Sequence, residues 1–148
     1  MLPRLSALVA SDTSVATLTV GSTPVTFGGL YSTVHSTGGG VTLSPDGTTI
    51  TLVSSGTFLV RYQVTLTGGA VALVVHQDGE PVPGSGLLHT STSSSTMMGS
   101  QLVTSAGGSR VQVHAVVTAP RTAQAFGGPL QIIVTQVGFR QSSTISGT

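Results

Sequence analysis

The chain has 148 residues, only 6% of them charged, and its formal net charge is +1. Nucleic-acid binding is not expected, because it needs clustered basic side chains and the five arginines are scattered along a chain without lysine. A membrane span is not expected either, because no run of about 18 apolar residues occurs, and the lack of cysteine rules out a disulfide framework.

Short alternating runs of apolar and polar residues, separated by Gly, Pro and Asp-Gly, predict an all-β chain without helices. In chain order, the predicted strands cover residues 5–10, 15–20, 24–27, 30–34, 40–43, 49–53, 57–67, 70–76, 80–82, 87–90, 97–104, 110–118 and 130–139. Loops are predicted at residues 91–95 and 119–128, and residues 141–148 form a polar tail that we expect to be disordered. Residues 1–140 are predicted to form one domain, a two-sheet sandwich or jelly roll of about ten strands.

The strand with the clearest pattern lies in the stretch GTFLVRYQVTLTGG, residues 56–69. Its alternate positions are apolar and are expected to face the core: Phe58, Val60, Tyr62, Val64 and Leu66. The positions between them are expected to point outwards: Leu59, Arg61, Gln63 and Thr65. An arginine in the middle of this strand is unexpected in a chain with so few charges, and it raises the question of what the outward face contacts.

Two predicted strands are apolar on both faces, at residues 71–75 and 132–134. In a two-layer sandwich, one face of each sheet normally faces water. Apolar side chains on the second face therefore indicate a further partner, most simply another copy of the chain. The alternative interpretation is that these are inner strands covered by a loop.

The order of these segments resembles that of the C1q/TNF-like jelly-roll superfamily, over roughly residues 20–139. It is most similar to the C-terminal domains of bacterial collagen-like exosporium glycoproteins, which lie on the spore surface. The family's aromatic core strand is matched by Gly56, Phe58, Val60 and Tyr62. The hairpin that follows it is matched by Val74, Asp78, Gly79, Val82, Gly84 and Ser85.

The resemblance implies a jelly roll of about ten strands that assembles as a tight, symmetric homotrimer at an extracellular, cell or spore surface. The trimer interface is expected to include outward-facing strand residues: Arg61, Gln63, Val74, His76, His114 and Ile133. An arginine buried there needs an acceptor, either a carboxylate or backbone carbonyls of another chain. The sequence departs from the wider family in having neither a collagen-like repeat nor the acidic cluster with which some animal members bind calcium.

The few ionisable side chains give little support to catalysis or metal binding. Asp46 and Asp78 each precede glycine and are explained as turn residues, and Asp78 with Glu80 are too few for a calcium site. His76 and His114 each lie in a strand and could meet across a sheet or a threefold axis, where an ion could bind. The simpler interpretation is that they are strand histidines on a semi-polar face, so no cofactor is predicted. No serine-nucleophile motif occurs, and the chain is not expected to be an enzyme.

The favoured function is a structural and interaction module, the trimerising globular head of a bacterial surface or spore-coat fibre protein. One alternative is a trimeric lectin of the same fold, with candidate glycan-binding residues in loop-like stretches: Tyr31, His35, Arg121 and Gln124. For these the simpler interpretation is that Tyr31 is part of the core and Arg121 is a solvated loop charge. A second alternative is a virus or phage jelly-roll protein of a coat or fibre tip. Besides the chain itself, the expected partners are a cell-surface glycan or a receptor.

Overall fold

The protein folds into antiparallel β-structure in a computed structural model that describes residues 5–12, 16–18, 21–27, 33–67, 71–89, 95–117 and 125–139. These ranges contain thirteen strands and no helix, and so no helical segment that could cross a membrane. In chain order the strands are β1 (Ala7–Asp12), β2 (Ala16–Thr17), β3 (Gly21–Pro24), β4 (Thr33–Thr37), β5 (Val41–Leu43), β6 (Ile50–Leu52), β7 (Gly56–Thr67), β8 (Val71–Gln77), β9 (Glu80–Pro81), β10 (Leu87–His89), β11 (Ser95–Ser105), β12 (Ser109–Val117) and β13 (Ala125–Phe139). Every predicted strand shares at least one residue with an observed strand, but the strand predicted at residues 24–27 is misplaced, because β3 covers Gly21–Pro24 and shares only Pro24 with it.

The strands form two sheets that face each other across the core. Six strands form one sheet, in the order β11-β7-β13-β1-β4 with β2 paired to β13. Seven strands form the other, in the order β10-β8-β12-β6-β5 with β3 paired to β12 and β9 paired to β8. From β6 to β8 and again from β10 to β13, consecutive strands alternate between the two sheets, as expected for a jelly roll. The predicted two-sheet sandwich is confirmed.

The predicted loop at residues 119–128 is wrong at its C-terminal end, because β13 begins at Ala125. The pairing of β13 with β7 shifts register between Phe126 and Leu130, where β13 contains more residues than its partner. This glycine-rich segment is a β-bulge, which a simple alternation of apolar residues does not reveal. Ser95, also predicted in a loop, is the first residue of β11. Two further segments lie outside the described residues: 91–94 and the predicted tail at 141–148.

The core is built from the inward-facing side chains of both sheets. All five β7 positions predicted to face inwards are buried, with an exposure of 4% for Tyr62 and 0% for the other four. They share one hydrophobic cluster with residues of neighbouring strands and of the opposite sheet, including Leu8, Val71, Leu73, Val75, Val111, Val113, Ile132 and Val134. Burying each such large side chain contributes about 1.5–3 kcal/mol, so the apolar core is the main source of stability.

The outward side of β7 is open to solvent in its middle and closed near its end. Arg61 is exposed, and Leu59 and Gln63 are half-buried. Thr65 is only 7% exposed, and its hydroxyl lies 3.1 Å from that of Thr96, which is directly opposite it on β11. This cross-strand pair covers Thr65, so one of the four positions expected to point outwards is not open to solvent.

A buried polar cluster connects β1 to β13 beside the start of β7. The Gln136 side chain is 1% exposed. Its Oε1 accepts a hydrogen bond from the Ser6 amide (3.1 Å), and its Nε2 donates to the Ser55 carbonyl (3.3 Å). The Gln136 amide donates to the Ser6 carbonyl (2.8 Å), and Ser6 Oγ accepts from the Gly40 amide (2.9 Å). These bonds satisfy polar groups that would otherwise be buried without partners.

Candidate functional site

The outward face of the six-stranded sheet carries almost no charge. One row of paired residues crosses five strands: Ser100, Arg61, Ile133, Val9 and His35. The rows on either side of it contain Leu102, Leu59 and Thr135, and Met98, Gln63 and Gln131. We call these residues the Arg61 face, because Arg61 is the only Arg, Asp or Glu among them.

Arg61 lies in the middle of this face with an exposed side chain. Within the part of the chain that the structure describes, its guanidinium has no hydrogen-bond or ion-pair partner. In a single copy this costs little, because water solvates an exposed cation. A direct partner for the Arg61 side chain would therefore have to come from a second molecule.

A cavity of about 580 Å³ opens beside Arg61, and its wall includes Tyr62, Leu87 and Gly99. The Tyr62 ring lies against Gly99, where a Cβ atom would clash with the ring Cζ and the hydroxyl oxygen. Burial raises the pKa of the Tyr62 phenol above its ordinary value, so the hydroxyl stays neutral. Among the described residues that line this cavity, Arg61 is therefore the one charged side chain, and the Tyr62 hydroxyl beside it is neutral.

Three large apolar side chains are exposed along the edge formed by β10 and β11, which are end strands of the two sheets and contact each other. Leu88 is 62% exposed, Met98 is 73% exposed and Leu102 is 57% exposed. Single exposed apolar residues are common on protein surfaces, but a group of them on edge strands indicates a contact surface. The group adjoins the Arg61 face, since Met98 and Leu102 belong to both.

The six interface residues predicted from the sequence fall on two opposite faces. Arg61, Gln63 and Ile133 lie together on the Arg61 face, with Ile133 paired directly to Arg61. The other three are half-buried on the outward face of the seven-stranded sheet, on β8 and β12: Val74, His76 and His114. The core separates the two groups, so a single flat contact cannot contain all six residues.

His76 and His114 meet across β8 and β12 within one chain. Their ring centroids are 4.0 Å apart and their planes differ by 14°, so the two imidazoles are stacked. His114 Nδ1 is 2.6 Å from Ser22 Oγ, and its Nε2 is 2.8 Å from Gln112 Oε1. A neutral His114 that carries its proton on Nε2 and accepts the serine proton at Nδ1 makes both hydrogen bonds. Burial, and secondarily His76, lower the pKa of His114 below 6.5.

The described residues contain no group of three or more His, Cys, Asp or Glu side chains that could hold a metal ion. His76 and His114 lie side by side, but both ring nitrogens of His114 already have partners. A protein zinc site uses three or four protein ligands. The pair could therefore hold such an ion only with ligands from another molecule.

A second and larger cavity, of about 930 Å³, lies on the outward face of the seven-stranded sheet. Two rows of polar side chains line it. The first row runs from β8 over β12 to the residue before β6: His76, Gln112 and Thr49. The second runs from the turn after β8 over β12 and β6 to β5: Asp78, Arg110, Thr51 and Thr42. We call these seven residues the polar groove.

Sequence reasoning missed the polar groove, although a signal for it was present. Three segments place polar residues two positions apart. Arg110 and Gln112 share a face of β12. Thr51 of β6 follows Thr49 at the same spacing, and Asp78, in the turn after β8, follows His76 of β8. The prediction explained Asp78 as a turn residue and found Asp78 with Glu80 too few for a calcium site. The groove forms because β12 pairs with both β6 and β8, and this pairing of distant segments is not evident from one strand at a time.

Of the four residues predicted to bind a glycan, the structure describes only His35. It is exposed and lies on the end strand β4, in the same row as Arg61. Tyr31, Arg121 and Gln124 lie outside the described residues. A glycan site formed by these four residues therefore stays a prediction.

Several solved structures have a similar arrangement of strands. Murine APRIL has a TM-score of 0.65 at 13% identity, covering 90% of this chain and 100% of that chain. The globular domain of zebrafish complement 1qA protein has a TM-score of 0.64 at 15% identity, covering 93% of this chain and 100% of that chain. Eiger TNF from S. frugiperda has a TM-score of 0.67 at 13% identity, covering 95% and 98%. The chain has the C1q/TNF jelly-roll fold.

This finding confirms the fold implied by the sequence resemblance. No protein-family model matches the chain, and no curated protein matches it. At the low identities of the solved structures, the likeness concerns the arrangement of the strands. Similarity to the bacterial exosporium domains remains a prediction.

Proposed function

We propose that this chain is a trimerising interaction module, the globular head of a larger surface assembly, and that it is not an enzyme. The observation that supports this proposal is the Arg61 face, a broad sheet surface with one cation and no carboxylate. Hydroxyl, amide and aliphatic side chains make up most of the rest, and a surface with so little charge favours self-association. Residues 1–140 would form this one domain, with residues 141–148 as a tail.

A closed ring of three copies needs two different contact surfaces on each copy. The exposed β10–β11 edge, with Leu88 and Met98, provides one. The part of the Arg61 face on β7, β13 and β1, with Arg61, Ile133 and Val9, provides the other. Each copy would place its edge on the Arg61 face of the next, and each Å² of apolar area removed from water would contribute about 25 cal/mol.

In this arrangement the side chains of Arg61 and Gln63 would be buried between two copies. A buried arginine without a partner costs several kcal/mol, so we expect Arg61 to donate to acceptors of the neighbouring copy. An edge strand such as β11 offers unpaired backbone carbonyls for this purpose. Val74, His76 and His114 would stay outside the contact, because they lie on the opposite face.

The setting that we propose for this module is extracellular, on a bacterial surface or spore-coat fibre. Support comes from the sequence resemblance and from a hydroxyl-rich chain without cysteine, whose stability does not depend on redox conditions. Antibody labelling of intact cells or spores of the producing organism tests this setting. Label on the outer surface is expected, and label confined to the cell interior would contradict it.

Sedimentation of the purified chain tests the assembly itself. Three copies are expected to sediment together at micromolar concentration. An Arg61→Glu variant places a carboxylate in the middle of the Arg61 face. This variant should dissociate into single copies, because the carboxylate would be buried opposite carbonyl groups of the neighbouring copy. A wild-type chain that sediments as one copy would contradict the proposal.

A further inference from the structure

The polar groove contains one basic and one acidic side chain of a chain that has few charges. The chain has five basic and four acidic side chains, and one of each, Arg110 and Asp78, lines this single cavity. The groove lies on the sheet opposite the Arg61 face. A ligand could therefore bind it in a single copy as well as in a trimer.

Most of the groove is held in place by contacts within the chain. Gln112 donates through Nε2 to Thr49 Oγ1 (2.9 Å) and accepts at Oε1 from His114 Nε2 (2.8 Å). Asp78, with a φ of 53°, donates from its amide to the Arg110 carbonyl (2.8 Å) and accepts at Oδ1 from the Arg110 amide (2.9 Å). A surface that is ordered before its ligand arrives loses less entropy on binding.

Two nitrogen-bearing side chains of the groove have no hydrogen-bond or ion-pair partner among the described residues: Arg110 and His76. The Arg110 side chain is exposed, and Asp78 beside it bonds the Arg110 backbone. Thr51 and Thr42 add hydroxyl groups in the same row. The groove therefore offers one planar cation surrounded by hydroxyl, amide and imidazole groups.

We propose that the polar groove binds a carboxylate-bearing saccharide, such as a uronic-acid residue of a polysaccharide. The Arg110 guanidinium can hold a carboxylate by two parallel hydrogen bonds. His76, Gln112 and Thr51 are placed beside it to bond the hydroxyl groups of the sugar ring. The volume of about 930 Å³ is in the range of small-ligand sites.

The charges of the groove favour a carboxylate over a phosphate. Arg110 is its only arginine, and Asp78 is a carboxylate in the same row. A doubly charged phosphate would be repelled by Asp78 without a second cation to offset it. A neutral sugar would give the guanidinium only hydroxyl acceptors, which bind it more weakly than an ionised group does.

Titration with glucuronate, followed through the imidazole resonances of His76 and His114, tests this proposal on the whole chain. Glucuronate is expected to shift the His76 signals in a saturable way, and glucose, acetate and phosphate to bind at least about tenfold more weakly. Arg110→Gln should lower glucuronate affinity at least about tenfold. Glu80→Gln, which removes an exposed carboxylate outside the cavity lining, should leave it unchanged.

Several outcomes would overturn the proposal. If glucose binds as tightly as glucuronate, the carboxylate has no role in binding. If acetate binds as tightly as glucuronate, the sugar ring has no role. If phosphate binds more tightly than glucuronate, the predicted preference for a carboxylate is wrong. Unchanged affinity in Arg110→Gln would also overturn it. Thr51→Val is the second variant, chosen because it keeps the side-chain volume, and it should weaken glucuronate by at least about threefold.

The groove and the proposed trimer can fail separately. Because Arg110 lies on the opposite side of the sandwich from Arg61, Arg110→Gln is expected to keep the native mass of the wild-type chain. Glucuronate binding by a monomeric wild-type chain would support the groove and contradict the trimer. A trimeric wild-type chain that does not bind glucuronate would support the trimer and contradict the groove.

Discussion

The imidazole of His76 stacks on that of His114, with ring centroids 4.0 Å apart on the outward face of β8 and β12. Burial, and secondarily the neighbouring His76, lower the pKa of His114 and disfavour its protonated form. The hydrogen bonds of His114 to Ser22 and Gln112 are compatible with its neutral form. His114 should therefore resist taking up a proton in the folded chain.

The folded chain is expected to lose stability as the pH falls below about 6.5. The pKa of His114 is lowered in the folded state, first by burial and then by His76, so the unfolded chain binds this proton more readily. Stability is then complete above the unfolded pKa and declines as the pH falls through it. Denaturant midpoints measured from about pH 7.5 to about pH 5 check this slope.

Two histidine variants make that test specific. His114→Gln should reduce the slope of stability against pH, because the group with the lowered pKa is gone. His35→Gln, which replaces an exposed histidine on β4, should retain the wild-type slope. Equal slopes in His114→Gln and the wild type would show that the stacked pair is not responsible.

Replacing Gly99 by alanine is expected to destabilise the fold by about 1–3 kcal/mol. The added Cβ would clash with the Tyr62 ring and with Leu87 Cδ1, and the Tyr62 side chain is only 4% exposed. The matched control is Gly86→Ala, because a Cβ there meets nothing within 4 Å. Chemical denaturation compares the two, and equal stability would mean that Tyr62 can move aside without cost.

Gln136 is expected to contribute more to stability than an exposed glutamine does. Gln136→Met removes the acceptor of the Ser6 amide and the donor to the Ser55 carbonyl at a site that is 1% exposed. The loss should be about 1–3 kcal/mol, because these polar groups stay buried without partners. The control is Gln101, whose Nε2 donates to the Leu102 carbonyl at an exposed site. Gln101→Met should change stability by less than about 0.5 kcal/mol. Similar losses in the two variants would contradict this account of the cluster.

Ile133→Asp is expected to separate the copies without unfolding them. Ile133 is half-buried on the Arg61 face of a single chain, so a carboxylate there remains hydrated in the monomer but would be desolvated in the trimer. Val53→Asp is the control, because Val53 is 51% exposed and is not part of the Arg61 face. Size-exclusion chromatography with circular dichroism checks both. A trimeric Ile133→Asp chain would place the contact elsewhere.

The inward positions of β7 were predictable from the sequence because alternation reports burial directly. The five inward positions from Phe58 to Leu66 follow one another at intervals of two residues, and one buried sheet face selects for that spacing. Many short strands separated by turns predicted a sandwich or a jelly roll, and the sequence resemblance implied the jelly roll. The burial pattern and the positions of strands and turns depend on residues close together in the chain, so they can be predicted from a single sequence.

The features that the sequence did not reveal depend on pairing between distant segments. The bulge between Phe126 and Leu130 becomes visible only against the register of β7. The separation of Arg61 from His114 onto opposite faces depends on which sheet each strand joins. The polar groove has the same origin, since Arg110 joins Thr51 only through the pairing of β12 with β6.

The native mass of the purified chain at micromolar concentration tests the central proposal most directly. A mass of about three times the 14.8 kDa chain is expected, and it should persist at high salt because apolar contacts dominate the proposed interface. A native mass equal to one chain would contradict the proposed function, and with it the assignment of Arg61 to a contact between copies.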